Sequence, residues 1–240
     1  MRQAMIFAAG LGTRLRPLTD TMPKAMVPVG GRPLIDILLA KLYAARVERV
    51  VVNVHHFADM LEEHLSQCHF EGMELLVSDE RSELLDTGGG LRKAAPLFDP
   101  SSPILIHNVD ILSNADLSKL YELAVDDALL LVSKRTSSRQ LTFNTDTHRL
   151  EGWINLNTGQ TKGVVKAEAE QMAFSGIHLF HPRLFPAMDA FPSKFSIVDF
   201  YLNACQEHNI CGFFDSSLQL LDVGKQATLD EAASFLGENG

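Results

Sequence analysis

The chain has 240 residues, 46% of them hydrophobic, with a formal net charge of −9. That length can bury a sizeable core within one α/β domain, residues 1–240, and the acidic balance argues against a nucleic-acid binder, whose footprint is basic. Three cysteines, Cys68, Cys205 and Cys211, form no Cys-x-x-Cys pair and leave one over, which points to reduced thiols in a cytoplasmic setting.

In chain order, residues 5–8 read as a buried strand, preceded by too few apolar residues for a secretory leader. Behind the strand, Gly10-Leu11-Gly12-Thr13-Arg14 opens a loop whose glycines let backbone approach a ligand closely. Amides there can cradle phosphate, with Arg14 adding a planar fork and Lys24 a compact charge. The alternative is a tight strand-to-helix turn with incidental basic residues. A dinucleotide fingerprint needs a third glycine where Leu15 stands, and the Gly-Lys-Ser/Thr ending of a P-loop is absent, which weakens dehydrogenase and ATPase readings. Residues 1–33 hold Arg2, Arg14, Arg16, Lys24 and Arg32 against Asp20 alone, a basic island suited to a small polyanion.

Leu34, Leu38 and Leu42 on one face predict a helix over 34–45, and Asp59 is a candidate N-cap for a second over 59–65. Further strands are expected over 50–54, 74–78 and 104–107, an alternation that implies a parallel sheet with helices on its faces. Glu80 could meet a base or a sugar hydroxyl, or be a solvated loop carboxylate. Asp86-Thr87-Gly88-Gly89-Gly90 precedes a helical stretch at 91–95, so Gly88 can let a base or ribose lie against backbone or belong to a helix N-terminus, two readings that are compatible. Asp110 lies just past an apolar strand, at the end where open α/β sheets bind ligands, with a turn or capping role as the alternative.

Beyond Asp116 a helix is expected over 117–124 and strands over 128–133, 141–144 and 150–155, with hairpin turns at Asn144-Thr145-Asp146 and Asn157-Thr158-Gly159. The sheet should turn partly antiparallel here. Trp153 could stack on a base or sugar, or be a half-buried strand aromatic. His55-His56 and His178 with His181 have no nearby cysteine or carboxylate set, so zinc is not expected. A helix over 196–206, a strand over 218–222 that delivers Asp222, and a helix over 226–236 complete the chain. No run approaches the ~20 apolar residues of a membrane span, so no membrane partner is expected.

The stretch Gly10-Leu11-Gly12-Thr13-Arg14-Leu15-Arg16-Pro17-Leu18-Thr19, followed by Pro23-Lys24 and Val27-Pro28-Val29, resembles the signature of the sugar-1-phosphate nucleotidylyltransferases. The Asp86 to Gly90 run resembles the second glycine-rich loop of that family. Asn108-Val109-Asp110 and Asp222-Val223-Gly224 resemble its two metal sites. The resemblance implies a single-domain, Rossmann-like three-layer α/β sandwich of the GT-A-like kind, with a mixed, mainly parallel central sheet. It implies transfer of a nucleotidyl group from a nucleoside triphosphate to a sugar 1-phosphate, with Mg²⁺ on Asp110 and Asp222 and with Arg14 and Lys24 catalytic. Ala9, Gly10, Gly12, Thr13 and Gly88 would bind nucleotide.

Phe174-Ser175-Gly176-Ile177-His178 resembles the acceptor strand of the family, which makes Asn155, Ser175 and Gly176 candidate sugar-phosphate contacts. The chain departs from the family at Val109, where glycine is usual, and at Lys225, where threonine is common. It also lacks a Glu-Lys-Pro segment, for which Lys166 could substitute unless it is a surface lysine. The Thr-Gly-Gly-Gly run looks most like that of N-acetylmuramate 1-phosphate uridylyltransferases, which implies UTP. Guanylyltransferases for mannose or heptose 1-phosphate are the near alternative, and a non-catalytic nucleotide-sensing subunit is an alternative of another class. A monomer or homodimer is expected.

Overall fold

In the computed structural model, residues 1–123 and 126–239 are described. Strand β1 (Gln3–Phe7) is buried along its whole length, and after the glycine loop come the short hairpin β2 (Pro28–Val29) and β3 (Arg32–Pro33) and helix α1 (Leu34–Ala44). An alternating series follows: β4 (Arg49–Val54), α2 (Ala58–Gln67), β5 (Glu74–Asp79), α3 (Asp86–Ala94) and β6 (Ile104–Asn108). Then come β7 (Ile111–Ser113), α4 (Leu117–Glu122), β8 (Ala128–Ser133), β9 (Arg139–Phe143), β10 (Leu150–Asn155), β11 (Thr161–Gly163) and β12 (Glu170–Phe180). Helix α5 (Ile197–Ala204), β13 (Ile210–Phe214), β14 (Leu220–Asp222) and α6 (Leu229–Asn239) complete the order.

The four parallel strands run in the order β6-β1-β4-β5, and β12 adds antiparallel to β6. Strand β12 carries the change of direction: its first residues pair with β9, its last with β6, and β8 runs along it with a register shift between Phe174 and His178. Strands β9, β10 and β11 extend the sheet as antiparallel hairpins, and β13 joins β8 in parallel. The sheet is therefore mixed, as the sequence predicts, with four parallel strands grouped together and a separate parallel pair, β8 and β13.

Burial on both faces explains why the parallel strands read as near-continuous apolar runs. Val50, Val52 and Val54 face a core with the leucines of α1 and α2, whereas Val51 joins Met5, Ile106 and Phe180 in a second core under α3 and α5. Helices on both faces make three layers. Among the described residues no helix is long and apolar enough to cross a membrane.

Several boundaries differ from expectation. Asp59 is not the cap of α2: Phe57 holds that position in a left-handed conformation, and Asp59 pairs with Arg81 instead. Strand β9 begins at Arg139, two residues before the apolar run, because pairing with β10 and not hydrophobicity fixes its start. Helix α4 ends at Glu122, and Ala124 lies outside the described residues. Strands β7, β11 and β13 and the β2–β3 hairpin were not expected; three of these units are too short to show a period, and each pairing needs a partner that the local sequence does not reveal.

The carboxyl ends of three parallel strands are tied by one buried relay. Asn53, at the end of β4, accepts the amides of Ala8 and Ala9 at 2.7 and 3.2 Å and donates to Glu80 Oε1 at 2.7 Å. The other carboxylate oxygen of Glu80 accepts the amide of Leu85, just before α3, at 3.1 Å. Glu80 is fully buried, so the reading of a solvated loop carboxylate is wrong, and burial pushes its carboxyl above the ordinary range despite these hydrogen bonds.

Replacing Asn53 by Ala leaves a carboxylate oxygen and two amides without their protein partner, so urea unfolding of Asn53→Ala is expected to show a loss of about 2 kcal/mol; an unchanged midpoint would contradict the relay. His107 and His178, also buried, are held neutral by desolvation, with pKa values lowered to about 4 and about 3. The unfolded chain takes up protons below about pH 6.5 while the folded one does not, so their contribution is full above that pH and is lost as pH falls toward 4. Stability should drop by roughly 1.4 kcal/mol per pH unit for each histidine between about pH 6 and 4.5, and His178→Leu should reduce that slope in denaturant melts.

Candidate active site

At the carboxyl ends of β1, β4 and β6 lies a cavity of about 360 Å³ bordered by Ala9, Gly10, Lys24, Thr87, Asn108 and Asp110. A wider cleft of about 740 Å³ is bordered by Arg14, Asp222, Trp153 and Asn155, and Asp86 belongs to both. The position is the one that chain topology favours for ligands in open α/β sheets.

The glycine loop is shaped by internal bonds. Because the amides of Ala8 and Ala9 turn inward to Asn53, Ala9 does not present its N–H to a phosphate, contrary to the simple cradle that the sequence suggests. Among the described residues, the amides of Gly10, Leu11 and Gly12 have no acceptor, and of these three residues Gly10 borders the cavity. Gly12 adopts φ +63°, and a Cβ there would lie 2.7 Å from Thr19 Cγ2 and 3.2 Å from Lys24 Cβ. Only glycine lets the loop fold down onto the segment that carries Lys24. Thr19 closes this fold by donating to Gly12 O at 2.9 Å. Gly12 and Thr13 border neither cavity; they shape the loop and leave Gly10 and Arg14 on the ligand side.

Lys24 leaves a short turn and its Nζ contacts Asp110 Oδ2, with the two side chains 12% and 14% exposed. Asp110 and Asp222, far apart in sequence, are brought together by backbone: β7 and β14 pair with Asp222 opposite Ile111, and Val223 N donates to Asp110 O at 2.8 Å. Asp222 Oδ1 accepts the amide of Gly224 at 2.8 Å. A Cβ on Gly224 would lie 2.6 Å from that carboxylate oxygen and 2.7 Å from Arg14 Nη2, so glycine there admits the guanidinium beside the Asp222 segment. Arg14, Lys24, Asp110 and Asp222 thus stand around one adjoining pair of cavities. Two cations and two carboxylates so arranged can hold phosphate groups and a hard divalent ion.

Of the five cations near the N-terminus, Arg14 and Lys24 alone border these cavities. Arg2 sits over the Tyr121 ring and donates to Ala45 O, and Arg16 pairs with Asp20. The basic island is therefore not one patch.

The second glycine run is helical, not a loop. Gly88 donates to Phe195 O at 2.9 Å, and a Cβ on it would lie 2.4 Å from the Phe195 ring, so its open face is filled by protein and not by a nucleotide. Gly88 lies in the first turn of helix α3, and its neighbours Asp86 and Thr87 border the cavity. Ser175 is also turned away: it is buried and its hydroxyl accepts Ile177 N at 3.0 Å. Gly176 adopts φ +80° and backs onto Asn108, whose Nδ2 would lie 2.7 Å from a Cβ, so it sets the position of a lining residue without lining the site itself. Asn155 borders the cleft, with its Oδ1 taken by Asn157 N at 3.0 Å.

Lys166 pairs with Glu151 at 2.7 Å outside both cavities, so it does not stand in for the missing Glu-Lys-Pro segment. Val109 is 3% exposed, belongs to the core that includes the leucines of α1, and borders the cavity beside Asp110. Trp153 is half-buried and borders the cleft, combining both readings. The sequence reading missed Asn53 and the cleft residues Arg135, Arg139 and Lys162. Asn53 carried a signal, a polar side chain inside a valine strand, whereas the last three are unremarkable in a polar connection.

Residues 3–141 match the family model for nucleotidyl transferases. The chain is 34% identical over 236 residues to the N-acetylmuramate alpha-1-phosphate uridylyltransferase of Caulobacter vibrioides, covering 94% of this chain and 93% of that protein. It is 28% identical over 235 residues to the protein of the same name from Neisseria meningitidis serogroup B, covering 98% of each. In fold it is similar to the inositol-1-phosphate CTP transferase from T. maritima, with a TM-score of 0.80, 19% identity, and coverage of 99% of this chain and 96% of that one. The motifs, the architecture and these matches agree: the chain belongs to the nucleotidyl transferase family, among the sugar-1-phosphate nucleotidyltransferases.

Proposed function

We propose that this chain transfers a uridylyl group from UTP to N-acetylmuramate 1-phosphate, with Mg²⁺ as cofactor, in the cytoplasm. The observation that carries the proposal is the convergence of Arg14, Lys24, Asp110 and Asp222 on the adjoining cavities, in a chain matched almost end to end by two relatives named for that reaction. Three unpaired cysteines support a reducing compartment.

The acceptor phosphate is already ionised near neutral pH, since a phosphate monoester loses its second proton near pH ~6, so no side-chain base is required. One of its oxygens attacks the α-phosphorus of UTP; the bond from that phosphorus to the bridging oxygen breaks, and pyrophosphate leaves with the electron pair. The obstacle is repulsion between two polyanions, and the chain answers it by position and charge. The free amide of Gly10, which borders the cavity, suits the triphosphate. Lys24 neutralises the reacting phosphates, and Arg14 supplies its charge to the departing pyrophosphate. Asp110 and Asp222 would hold Mg²⁺: both are hard oxygen donors, one backbone bond fixes their segments together, and Asp110 already meets a cation in Lys24. When bound, Mg²⁺ shields the phosphate oxygens and orients them for in-line displacement.

Pyrophosphate release should occur with UTP and N-acetylmuramate 1-phosphate, cease with EDTA and return with added Mg²⁺. Turnover confined to GTP with mannose or heptose 1-phosphate would overturn the proposal, and triphosphate binding with no turnover on any acceptor would favour a sensing subunit. Lys24→Ala should lower kcat/KM by about 10²–10³-fold while circular dichroism shows the fold retained; near-normal turnover would remove Lys24 from the mechanism.

A further inference from the structure

The wide cleft carries more positive charge than phosphate transfer uses. Its wall is one face of the hairpins β9–β10–β11, where register places Arg139 opposite Asn155, Leu141 opposite Trp153, and Trp153 opposite Lys162. Lys162 lies 5.6 Å from the Trp153 ring centre and is neutralised by Asp199 at 2.6 Å. Arg135 reaches the same cleft from the β8–β9 connection and donates from Nη2 to Phe174 O at 3.0 Å, while its Nε is buried with no partner. Among the described residues, neither Arg135 nor Arg139 has a carboxylate partner, and the Arg139 guanidinium has no hydrogen-bond acceptor. Both arginines border the wide cleft and neither borders the cavity that holds Lys24 and Asp110.

We propose that Arg135 and Arg139 form a carboxylate-binding subsite that recognises the lactyl group of the acceptor sugar. The inference rests on N-acetylmuramate 1-phosphate as acceptor. That sugar phosphate differs from N-acetylglucosamine 1-phosphate by a lactyl ether, which adds a second anion away from the phosphate. Arginine forks match carboxylate geometry, and a partly buried guanidinium with an unmet N–H discriminates strongly against a ligand that cannot fill it. Trp153 offers an apolar face beside them for the sugar ring.

The test compares kcat/KM for N-acetylmuramate 1-phosphate with that for N-acetylglucosamine 1-phosphate in the unmodified enzyme, in Arg135→Gln and in Arg139→Gln. The ratio should fall by about tenfold or more in each variant. Because Arg135 also holds a backbone carbonyl, an acceptor whose lactyl carboxylate is converted to an amide probes the same contact without mutation. The unmodified enzyme should lose about tenfold or more on the amide, and Arg139→Gln should lose little further. Equal losses on all acceptors, or an unchanged ratio, would overturn the subsite while leaving uridylyl transfer intact. Turnover of other sugar phosphates but never of N-acetylmuramate 1-phosphate would instead overturn the reading on which it rests.

Discussion

The bonds from Asn53 to Ala8, Ala9 and Glu80 are the constraint on which the site depends. Three parallel strands end side by side, and their carboxyl ends would otherwise leave polar backbone exposed over an apolar core. One amide side chain accepts from the end of β1 and donates to the carboxylate after β5, which in turn receives the amide that precedes α3. Helix α3 covers the pair so closely that a Cβ on Gly90 would lie 2.6 Å from Glu80 Oε1. In such low-dielectric surroundings each of these bonds is strong, and each group left unmet is costly. The glycine loop is therefore launched from a rigid base, with Gly10 at the border of the cavity.

On that base the fold gathers charge that the sequence keeps apart. Asp110 and Asp222 come from distant parts of the chain and are joined by a two-stranded ribbon and one further backbone bond. Lys24 is delivered by the fold of the loop over Gly12, and Arg14 by the absence of a side chain at Gly224. A catalyst for two polyanions needs fixed charges that do not have to be rearranged during reaction, and backbone contacts are the stiffest means of fixing them. Hairpins β9–β10–β11 line the wider of the two cavities, beside Arg14 and Asp222.

Much of this was legible in the sequence, for reasons that differ between elements. Strands such as β4 bury both faces and so declare themselves by an unbroken valine run, and α1 by its leucine spacing. The first glycine loop was legible because it follows such a strand and carries two charged residues. Gly88 was ambiguous because the same composition serves either ligand approach or close contact between protein elements, and only the neighbour decides: Phe195, far along the chain, occupies the space. Ser175 misled for a similar reason, since its hydroxyl is used two residues away.

By itself the sequence determined the alternating architecture and the family, because these rest on local period and on residue types at fixed spacing. Tertiary structure alone decided that Glu80 is buried, that Asp110 and Asp222 share a ribbon, and that Arg135 and Arg139 border the wide cleft. Those facts depend on pairings between distant segments, and a side chain's burial or partner is a property of the surface it meets, which no local pattern encodes.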